Sequence, residues 1–390
     1  MNPTSILSAT LALSILGSTP VRSEAGVNIV RSGIVNDSIT NAQMPMGLVR
    51  VGKESLITIF NDGGDLEPGA KTYLVRSDDL GETWGEPYMV LSSDQPNLGI
   101  GGTLAELPGG KILLIEIVQT HLSGDLTMEA VFKTRTSAYN LKISSDGGKT
   151  FEPSGSLPVP AGASGGIMGT VVPLANGDLI LPAYLYPGGF PKVEGSQYGS
   201  GFFRSKDGGM TWLPLEVAFA DPVPGRDKPL DFNESAYVVR PDGSIVAYAR
   251  IDSEIHEAGR WQSKGNHLWW VESHDNGITW STPKETRIGG LYPAIIRMGE
   301  SKYLLVCGDR HASPTRKVTF YTSNDGLNFQ PAGFAPYAKT KGECLSSATG
   351  GSQALVALTD KEVYLVYYAA DPAQTSRDKT HIEGCVLSLD

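Results

Sequence analysis

The octet SKDGGMTW, residues 205–212, decides the fold, because the same pattern returns along the whole chain. Its glycine permits a positive φ, and its Ser and Asp side chains can bond nearby backbone amides, so the octet predicts a hairpin turn. We interpret these residues as structural, with the aromatic residue packed between sheets. The other copies are residues 77–84 (SDDLGETW), 144–151 (SSDGGKTF), 273–280 (SHDNGITW) and 322–329 (TSNDGLNF), the last with Asn324 at the Asp position.

A second repeat, made of an apolar strand, a tight turn and another apolar strand, alternates with the octets. Six copies lie at residues 47–60, 102–118, 169–185, 236–250, 294–307 and 354–367. Six units of about 60 residues, each with an inner and an outer hairpin, predict an all-β fold, the six-bladed β-propeller. We expect one or both of the segments 24–35 and 382–389 to supply outer strands of the last blade and to close the ring.

Charge and the N-terminal residues restrict the function classes. The formal net charge of −10 argues against nucleic acid and against an anionic membrane surface as partners. Residues 6–16 are apolar and precede small polar residues, which is typical of a secretory signal. We therefore expect a signal peptide at residues 1–23, a propeller at residues 24–390, and a secreted or periplasmic monomer.

The sequence gives no support for a metal or another cofactor. Its three cysteines are far apart and its six histidines do not pair at ligand spacing. No glycine-rich phosphate loop precedes a helix. Cys344 and Cys385 either form a bridge or are buried thiols, as we expect for Cys307.

Alternation of strand direction predicts where a site lies. The start of the innermost strand, the end of the second strand and the start of the third share one rim of the propeller. Arginines bind carboxylates in a bidentate manner, and a flanking carboxyl pair can serve as acid and base, so the polar residues of this rim predict a site for an anionic sugar or acid. The candidates are Gln43, Asp62, Asp65, His121, Tyr186, Glu234, Arg250, Arg310, His311, Arg316 and Ser352.

The octets resemble the Asp-boxes, or BNR repeats, of sialidases, which also occur in non-enzymatic propellers. Residues 233–250 resemble the sialidase segment in which an active-site Glu precedes the innermost strand and an active-site Arg ends the second. This resemblance implies such roles for Glu234 and Arg250. Arg316, shortly before the fifth octet, resembles the third member of the family's arginine triad.

The sequence departs from the sialidase pattern at two positions. Where the family has an Arg-Ile-Pro motif, this chain has Gln43-Met44-Pro45, so Gln43 replaces one arginine of the triad. Where the family has its Tyr nucleophile, before the innermost strand of blade six, the nearest polar residue is Ser352. For the acid/base Asp of the family, Asp62 and Asp65 both fit, and Asp65 is closer.

The leading hypothesis is an exo-acting glycoside hydrolase of the sialidase superfamily, cleaving a terminal sialic acid, a related keto-acid sugar or a uronate from glycans. Arg250 and Arg316 would anchor the carboxylate, and Asp65 would donate or accept the proton at the glycosidic oxygen. Glu234 would activate water directly or would activate another group nearby.

Two other function classes remain open at this stage. In a polysaccharide lyase, arginine neutralises a uronate carboxylate while a Tyr or His abstracts the C5 proton. His121, Tyr186 and His311 are candidates for that role, and also substitutes for the missing Tyr nucleophile. A non-catalytic carbohydrate-binding propeller would explain the absence of one arginine and the Tyr, since a fold does not guarantee an activity.

Overall fold

The chain is almost entirely β-structure in the computed structural model. The model describes residues 26–63, 68–95, 97–121, 135–168, 170–186, 199–226, 230–251, 256–257, 260–261, 267–308, 318–337, 342–343, 352–370 and 379–389. No helix within these ranges is long and apolar enough to span a membrane. The predicted signal peptide lies outside them.

Besides a 3-10 turn at Pro108–Gly110, the regular elements within these ranges are strands. They are β1 (Val27–Asn36), β2 (Gln43–Val51), β3 (Ser55–Asn61), β4 (Thr72–Ser77), β5 (Tyr88–Leu91), β6 (Leu98–Leu107), β7 (Lys111–His121), β8 (Arg135–Ser144), β9 (Glu152–Ser156), β10 (Ser164–Ile167), β11 (Val172–Pro173), β12 (Leu179–Tyr186), β13 (Gly199–Ser205), β14 (Glu216–Phe219), β15 (Phe232–Val239), β16 (Ile245–Ile251), β17 (His256–Glu257), β18 (Arg260–Trp261), β19 (His267–Ser273), β20 (Lys284–Gly289), β21 (Leu291–Met298), β22 (Lys302–Gly308), β23 (Val318–Ser323), β24 (Gln330–Phe334), β25 (Pro336–Tyr337), β26 (Gly342–Glu343), β27 (Gln353–Ala357), β28 (Glu362–Ala369) and β29 (His381–Leu389).

These strands form the six blades of a β-propeller, together with two short hairpins, β17–β18 and β25–β26. An innermost strand takes part in the contact between each pair of neighbouring blades, and blade six contacts blade one. From the innermost strand outward, the blades are β2-β3-β4-β5, β6-β7-β8-β9, β10-β12-β13-β14 with β11 also paired to β12, β15-β16-β19-β20, β21-β22-β23-β24 and β27-β28-β29-β1. The predicted fold class and all six predicted inner hairpins are confirmed.

Blade six is built from both ends of the described chain. Its outermost strand, β1, pairs antiparallel with β29, from Val27 opposite Leu389 to Asn36 opposite Ile382. The expectation that one or both terminal segments supply outer strands of the last blade is confirmed, and both segments do so. The ring closes without a covalent link between β1 and β29.

The core lies between the blades, because each second strand buries both of its faces. In β12, Leu179 and Leu181 pack toward blade two, while Ile180 packs toward blade four. Successive side chains of a strand point to opposite faces, so a strand buried on both sides reads as a continuous apolar run. This geometry accounts for the apolar second strand of each predicted hairpin.

The octets form the tight turns that join the third and fourth strands of the first five blades. In blade three, the Ser205 hydroxyl donates to Asp207 at 2.8 Å and accepts the Gly209 amide at 2.8 Å. Asp207 accepts the Thr211 amide at 2.9 Å. Gly209 has φ +91°, and a Cβ there would lie 2.5 Å from a Leu107 methyl of blade two. The octet is thus a docking turn against the preceding blade, and its structural role is confirmed.

The fifth octet differs from our interpretation of its sequence. The Ser323 hydroxyl donates to Asp325 at 2.7 Å, and Asp325 accepts the Asn328 amide at 2.8 Å. Placing Asn324 at the Asp position was therefore wrong. The turn is one residue shorter than in the other copies, since the Gly326 amide reaches a hydroxyl three residues back rather than four.

Cys307 and Cys385 are buried, and burial strongly raises the pKa of the Cys385 thiol. Cys344 lies outside the described residues, as does any bridge that it would make.

Candidate active site

The rim at which the innermost strands begin, hereafter the site rim, carries the predicted site residues that the structure describes. Those at strand starts are Gln43 in β2, Glu234 in β15, and Ser352 directly before β27. Those at the ends of second strands are Asp62 after β3, His121 in β7 (backbone only), Tyr186 in β12 and Arg250 in β16. Asp65, Arg310, His311 and Arg316 lie outside the described residues.

The centre of the site rim is an ion pair within blade four. Arg250 Nη1 lies 3.0 Å from Glu234 Oε1, and the side chains are only 11% and 15% exposed. A bulge near the start of β15 places Asn233 and Glu234 opposite Arg250, because the pairing shifts between Phe232 and Ser235. The two residues that the resemblance selected are thus in contact.

Blade five supplies the second partner of Glu234. The Tyr292 backbone amide donates to Glu234 Oε2 at 2.8 Å. Tyr292 lies in a similar bulge near the start of β21, where it and Pro293 oppose Cys307. Its φ is +49°, in the left-handed region. Both oxygens of the Glu234 carboxylate therefore accept from protein groups, one from a cation and one from an amide.

Blade six contacts the carbonyl group of Tyr292, on the opposite side of the Tyr292 Cα from the amide that binds Glu234. Gln353, the first residue of β27, is 1% exposed. Its Nε2 donates to the Tyr292 carbonyl and, at 3.2 Å, to the Val306 carbonyl. One buried amide thus connects blade six to two strands of blade five, immediately beside the Glu234 contact.

Blade three fixes the backbone on which Glu234 is carried. Asn233 Oδ1 accepts the Glu234 amide at 2.7 Å, and Asn233 Nδ2 lies 3.5 Å from the Tyr186 hydroxyl. The Ser200 hydroxyl donates to the Asn233 carbonyl at 2.6 Å. Tyr186 contacts Tyr184 edge to face, with 5.3 Å between ring centroids. Tyr186 therefore lies in the wall beside the ion pair.

Asp62, which follows β3 in blade one, accepts two hydrogen bonds from residues at or near the start of β4. Asp62 Oδ1 accepts the Lys71 amide at 2.7 Å, and the Tyr73 hydroxyl donates to Oδ2 at 3.3 Å. Burial and the Asp62 carboxylate raise the pKa of Tyr73. Asp62 thus joins the two ends of the segment that contains Asp65. Gln43, 1% exposed, donates to Asn41 in the same blade.

A second buried polar cluster lies at the site rim of blade six. His381 Nε2 and Glu383 Oε1 are 2.9 Å apart, and the Tyr367 hydroxyl lies 3.2 Å from Glu383 Oε2. That hydroxyl also donates to the Pro336 carbonyl at 2.5 Å. All three side chains are at most 4% exposed, so this cluster anchors β25 rather than lining the rim.

The Gln353 side chain and the Tyr292 backbone amide take part in the site in ways that we did not predict. A polar glutamine opening an apolar strand is a weak signal that could have pointed to Gln353. No signal could have pointed to the Tyr292 amide, since a residue before proline normally avoids the left-handed conformation. In the part of the chain that the structure describes, no group of three or more His, Cys, Asp or Glu residues could hold a metal ion.

Comparison with known families gives one match. The family described as BNR repeat-like domain matches residues 55–334, which covers the described strands of blades two to five and most of blade one. A search of curated protein sequences found no match.

Solved structures share the whole propeller at low sequence identity. A protein of unknown function from Dyadobacter fermentans is 19% identical, with a TM-score of 0.71, over 94% of this chain and all of that one. A Hadza microbial sialidase is 18% identical, with a TM-score of 0.63, over 90% of this chain and 66% of that one. The intramolecular trans-sialidase of Ruminococcus gnavus, in complex with oseltamivir carboxylate, is 15% identical, with a TM-score of 0.61, over 94% and 98%.

Proposed function

The chain belongs to the BNR repeat-like domain family and has the sialidase-like propeller fold, and from this premise we propose that it is an exo-acting glycoside hydrolase. Its substrate is a glycan that ends in an acidic sugar, namely sialic acid, a related keto-acid sugar or a uronate. The observation that carries the proposal is the recessed Arg250, held by Glu234 at the site rim.

Arg250 suits the recognition of a carboxylate. A guanidinium binds carboxylates with parallel hydrogen bonds, and its interaction is stronger where water is largely excluded. The Glu234 contact fixes the guanidinium before a ligand arrives, which reduces the ordering cost of binding. The sialidase resemblance implies that Arg316 is a second anchor for the same carboxylate.

Glu234 acts in this proposal by orienting Arg250. Its two oxygens accept from Arg250 and from the Tyr292 amide, so activation of water would require it to give up one of these contacts. Proton transfer at the glycosidic oxygen then falls to a blade-one carboxyl group. Asp65 is our candidate, because both oxygens of Asp62 accept hydrogen bonds within the protein.

The test is turnover of a fluorogenic sialic-acid glycoside by the full chain and its variants. Arg250→Ala leaves Glu234 buried without its cation, and we expect kcat/KM to fall by about 100-fold or more. Arg240→Ala is the matched control, because Arg240 makes a similar ion pair with Glu272, at 3.0 Å, on the opposite rim of the same blade. We expect it to leave kcat/KM nearly unchanged.

The other function classes are outcomes of the same experiment. If the wild-type chain does not turn over the glycoside but binds N-acetylneuraminic acid in calorimetry, it is a binding propeller. If uronate glycans yield an unsaturated product that absorbs in the ultraviolet, it is a lyase. Turnover that Arg250→Ala leaves unchanged would contradict the assignment of Arg250 as the anchor.

A further inference from the structure

We propose that Gln353 of blade six is a positioning residue for carboxylate recognition, acting on Arg250 through the backbone of Tyr292 and through Glu234. This inference rests on the proposed function in that Arg250 is the carboxylate anchor. It adds Gln353 to the residues that support Arg250, through hydrogen bonds that run from blade six to blade five and from blade five to blade four. The route runs from the Gln353 amide to the Tyr292 carbonyl, from the Tyr292 amide to Glu234, and from Glu234 to Arg250.

The first step concerns the backbone at Tyr292. A tyrosine at φ +49° directly before a proline is strained, since residues before proline favour extended backbone and only glycine enters the left-handed region without cost. Such strain persists only where surrounding contacts fix it, and it often marks functional sites. At Tyr292 the fixing contact is the buried Gln353 amide on the peptide carbonyl. Met44, before Pro45, shows the same backbone feature in blade one, with φ +55°.

The second step concerns the direction of the Tyr292 amide. In this conformation the N–H points out of the blade-five ladder and reaches Glu234 Oε2 at 2.8 Å. The bulge between Leu291 and Ala294 removes Tyr292 from regular pairing with β22, so its amide is available to blade four. The strained backbone therefore delivers one hydrogen bond to one carboxylate oxygen.

The third step concerns what this hydrogen bond does for Arg250. With Oε2 held by the amide, Glu234 presents Oε1 to Arg250 Nη1 at 3.0 Å. If Gln353 no longer holds the Tyr292 carbonyl, the φ and ψ angles of Tyr292 can relax toward extended backbone, and its N–H turns away from Glu234. The carboxylate then loses its fixed orientation, and the guanidinium loses the geometry that a substrate carboxylate requires.

The experiment compares two substitutions that each remove a buried hydrogen bond between blades. Gln353→Met keeps the length of the side chain and removes its donors. Thr103→Val is the matched control, because the Thr103 hydroxyl, also buried, donates from blade two to the Met46 carbonyl in the innermost strand of blade one. Gln353→Leu, which is also apolar and removes the same donors, serves if Gln353→Met does not fold.

Four quantities are measured on the 390-residue chain: KM and kcat on the fluorogenic sialoside, the melting temperature, and the rate at which phenylglyoxal modifies Arg250, located by peptide mass spectrometry. We expect Gln353→Met to raise KM about fivefold, with a smaller change in kcat, and to accelerate Arg250 modification by a similar factor. We expect Thr103→Val to lower the melting temperature comparably, without changing KM or the modification rate.

The modification rate requires no substrate, so it separates failure of this inference from failure of the proposed function. If the wild-type chain does not act on the sialoside, sialic acid is excluded as the substrate of the proposed function, while the reactivity of Arg250 still decides the role of Gln353. If Gln353→Met lowers the melting temperature but leaves Arg250 reactivity unchanged, Gln353 is only structural. Faster modification with an unchanged KM would also overturn the inference, since recognition would then not depend on the route.

Discussion

The indole of Trp84, in the octet of blade one, donates a hydrogen bond to the hydroxyl of Tyr364 in blade six at 3.1 Å. The two rings also meet edge to face, with centroids 5.8 Å apart. Tyr364 is 2% exposed, and burial strongly raises its pKa. The pair lies where the ring closes, since blade six is completed by the noncovalent pairing of β1 with β29. An octet therefore also joins the last blade to the first.

Tyr364→Phe is expected to weaken this closure while keeping the ring contact. It leaves the Trp84 N–H without its acceptor, which costs about 1–2 kcal/mol in the free energy of unfolding. Tyr248→Phe is the matched control, because that hydroxyl bonds the Gly326 carbonyl in the octet of blade five at 2.7 Å. Hydrogen exchange of the β1 and β29 amides should accelerate only in Tyr364→Phe. Equal acceleration in both variants would contradict a special role for the closure.

The fifth octet allows a test of its observed register. Asp325 accepts the Ser323 hydroxyl and two backbone amides, whereas Asn324 does not occupy the Asp position. We expect Asp325→Ala to lower the melting temperature by about 2–4 °C and Asn324→Ala to leave it within about 1 °C, as measured by calorimetry. If Asn324→Ala lowers the melting temperature more than Asp325→Ala does, the observed register is contradicted and Asn324 occupies the Asp position.

Acid should destabilise the fold through the octet aspartates. Hydrogen bonds from the Thr211 hydroxyl and amide lower the pKa of Asp207 to about 2, from 3.8, and those from Thr279 do the same for Asp275. A carboxyl group with a lowered folded-state pKa stabilises the fold above its unfolded pKa, and this contribution is lost as the pH falls through the folded pKa. Urea midpoints should therefore fall between about pH 4 and 2. Asp207→Asn should reduce the proton uptake on unfolding by up to one, and an unchanged uptake would contradict this explanation.

The sequence was sufficient for the fold because the propeller is a local repeat. Each octet carries its own turn chemistry, as in Ser205 and Asp207, and each inner hairpin carries its own two apolar strands around a tight turn. Asn324 was assigned to the wrong position because the fifth octet forms a turn that is one residue shorter than the others but is made of the same types of residue.

The site could be predicted only as residues on one rim. Strand alternation placed Glu234 and Arg250 at the same rim, and the sialidase resemblance paired them. The contacts that hold them, through the Tyr292 amide and the Gln353 side chain, join residues 58 and 61 positions apart in different blades. They depend on ring geometry and on a backbone conformation that the following proline disfavours, and neither is encoded in a local pattern.

We expect isosteric substitution to distinguish the roles of the two carboxyl groups of blade one, Asp62 and Asp65. Asp62→Asn keeps Oδ1 for the Lys71 amide and a polar group beside the Tyr73 hydroxyl, so we expect kcat/KM on the sialoside to stay within about fivefold of wild type. Asp65→Asn removes the proposed proton donor, and kcat should fall about 10²–10⁴-fold, with loss of one limb of the pH–rate profile. If instead Asp62→Asn abolishes turnover and Asp65→Asn does not, Asp62 is the acid/base group. Its two hydrogen bonds would then position a catalytic carboxyl group rather than anchor a loop.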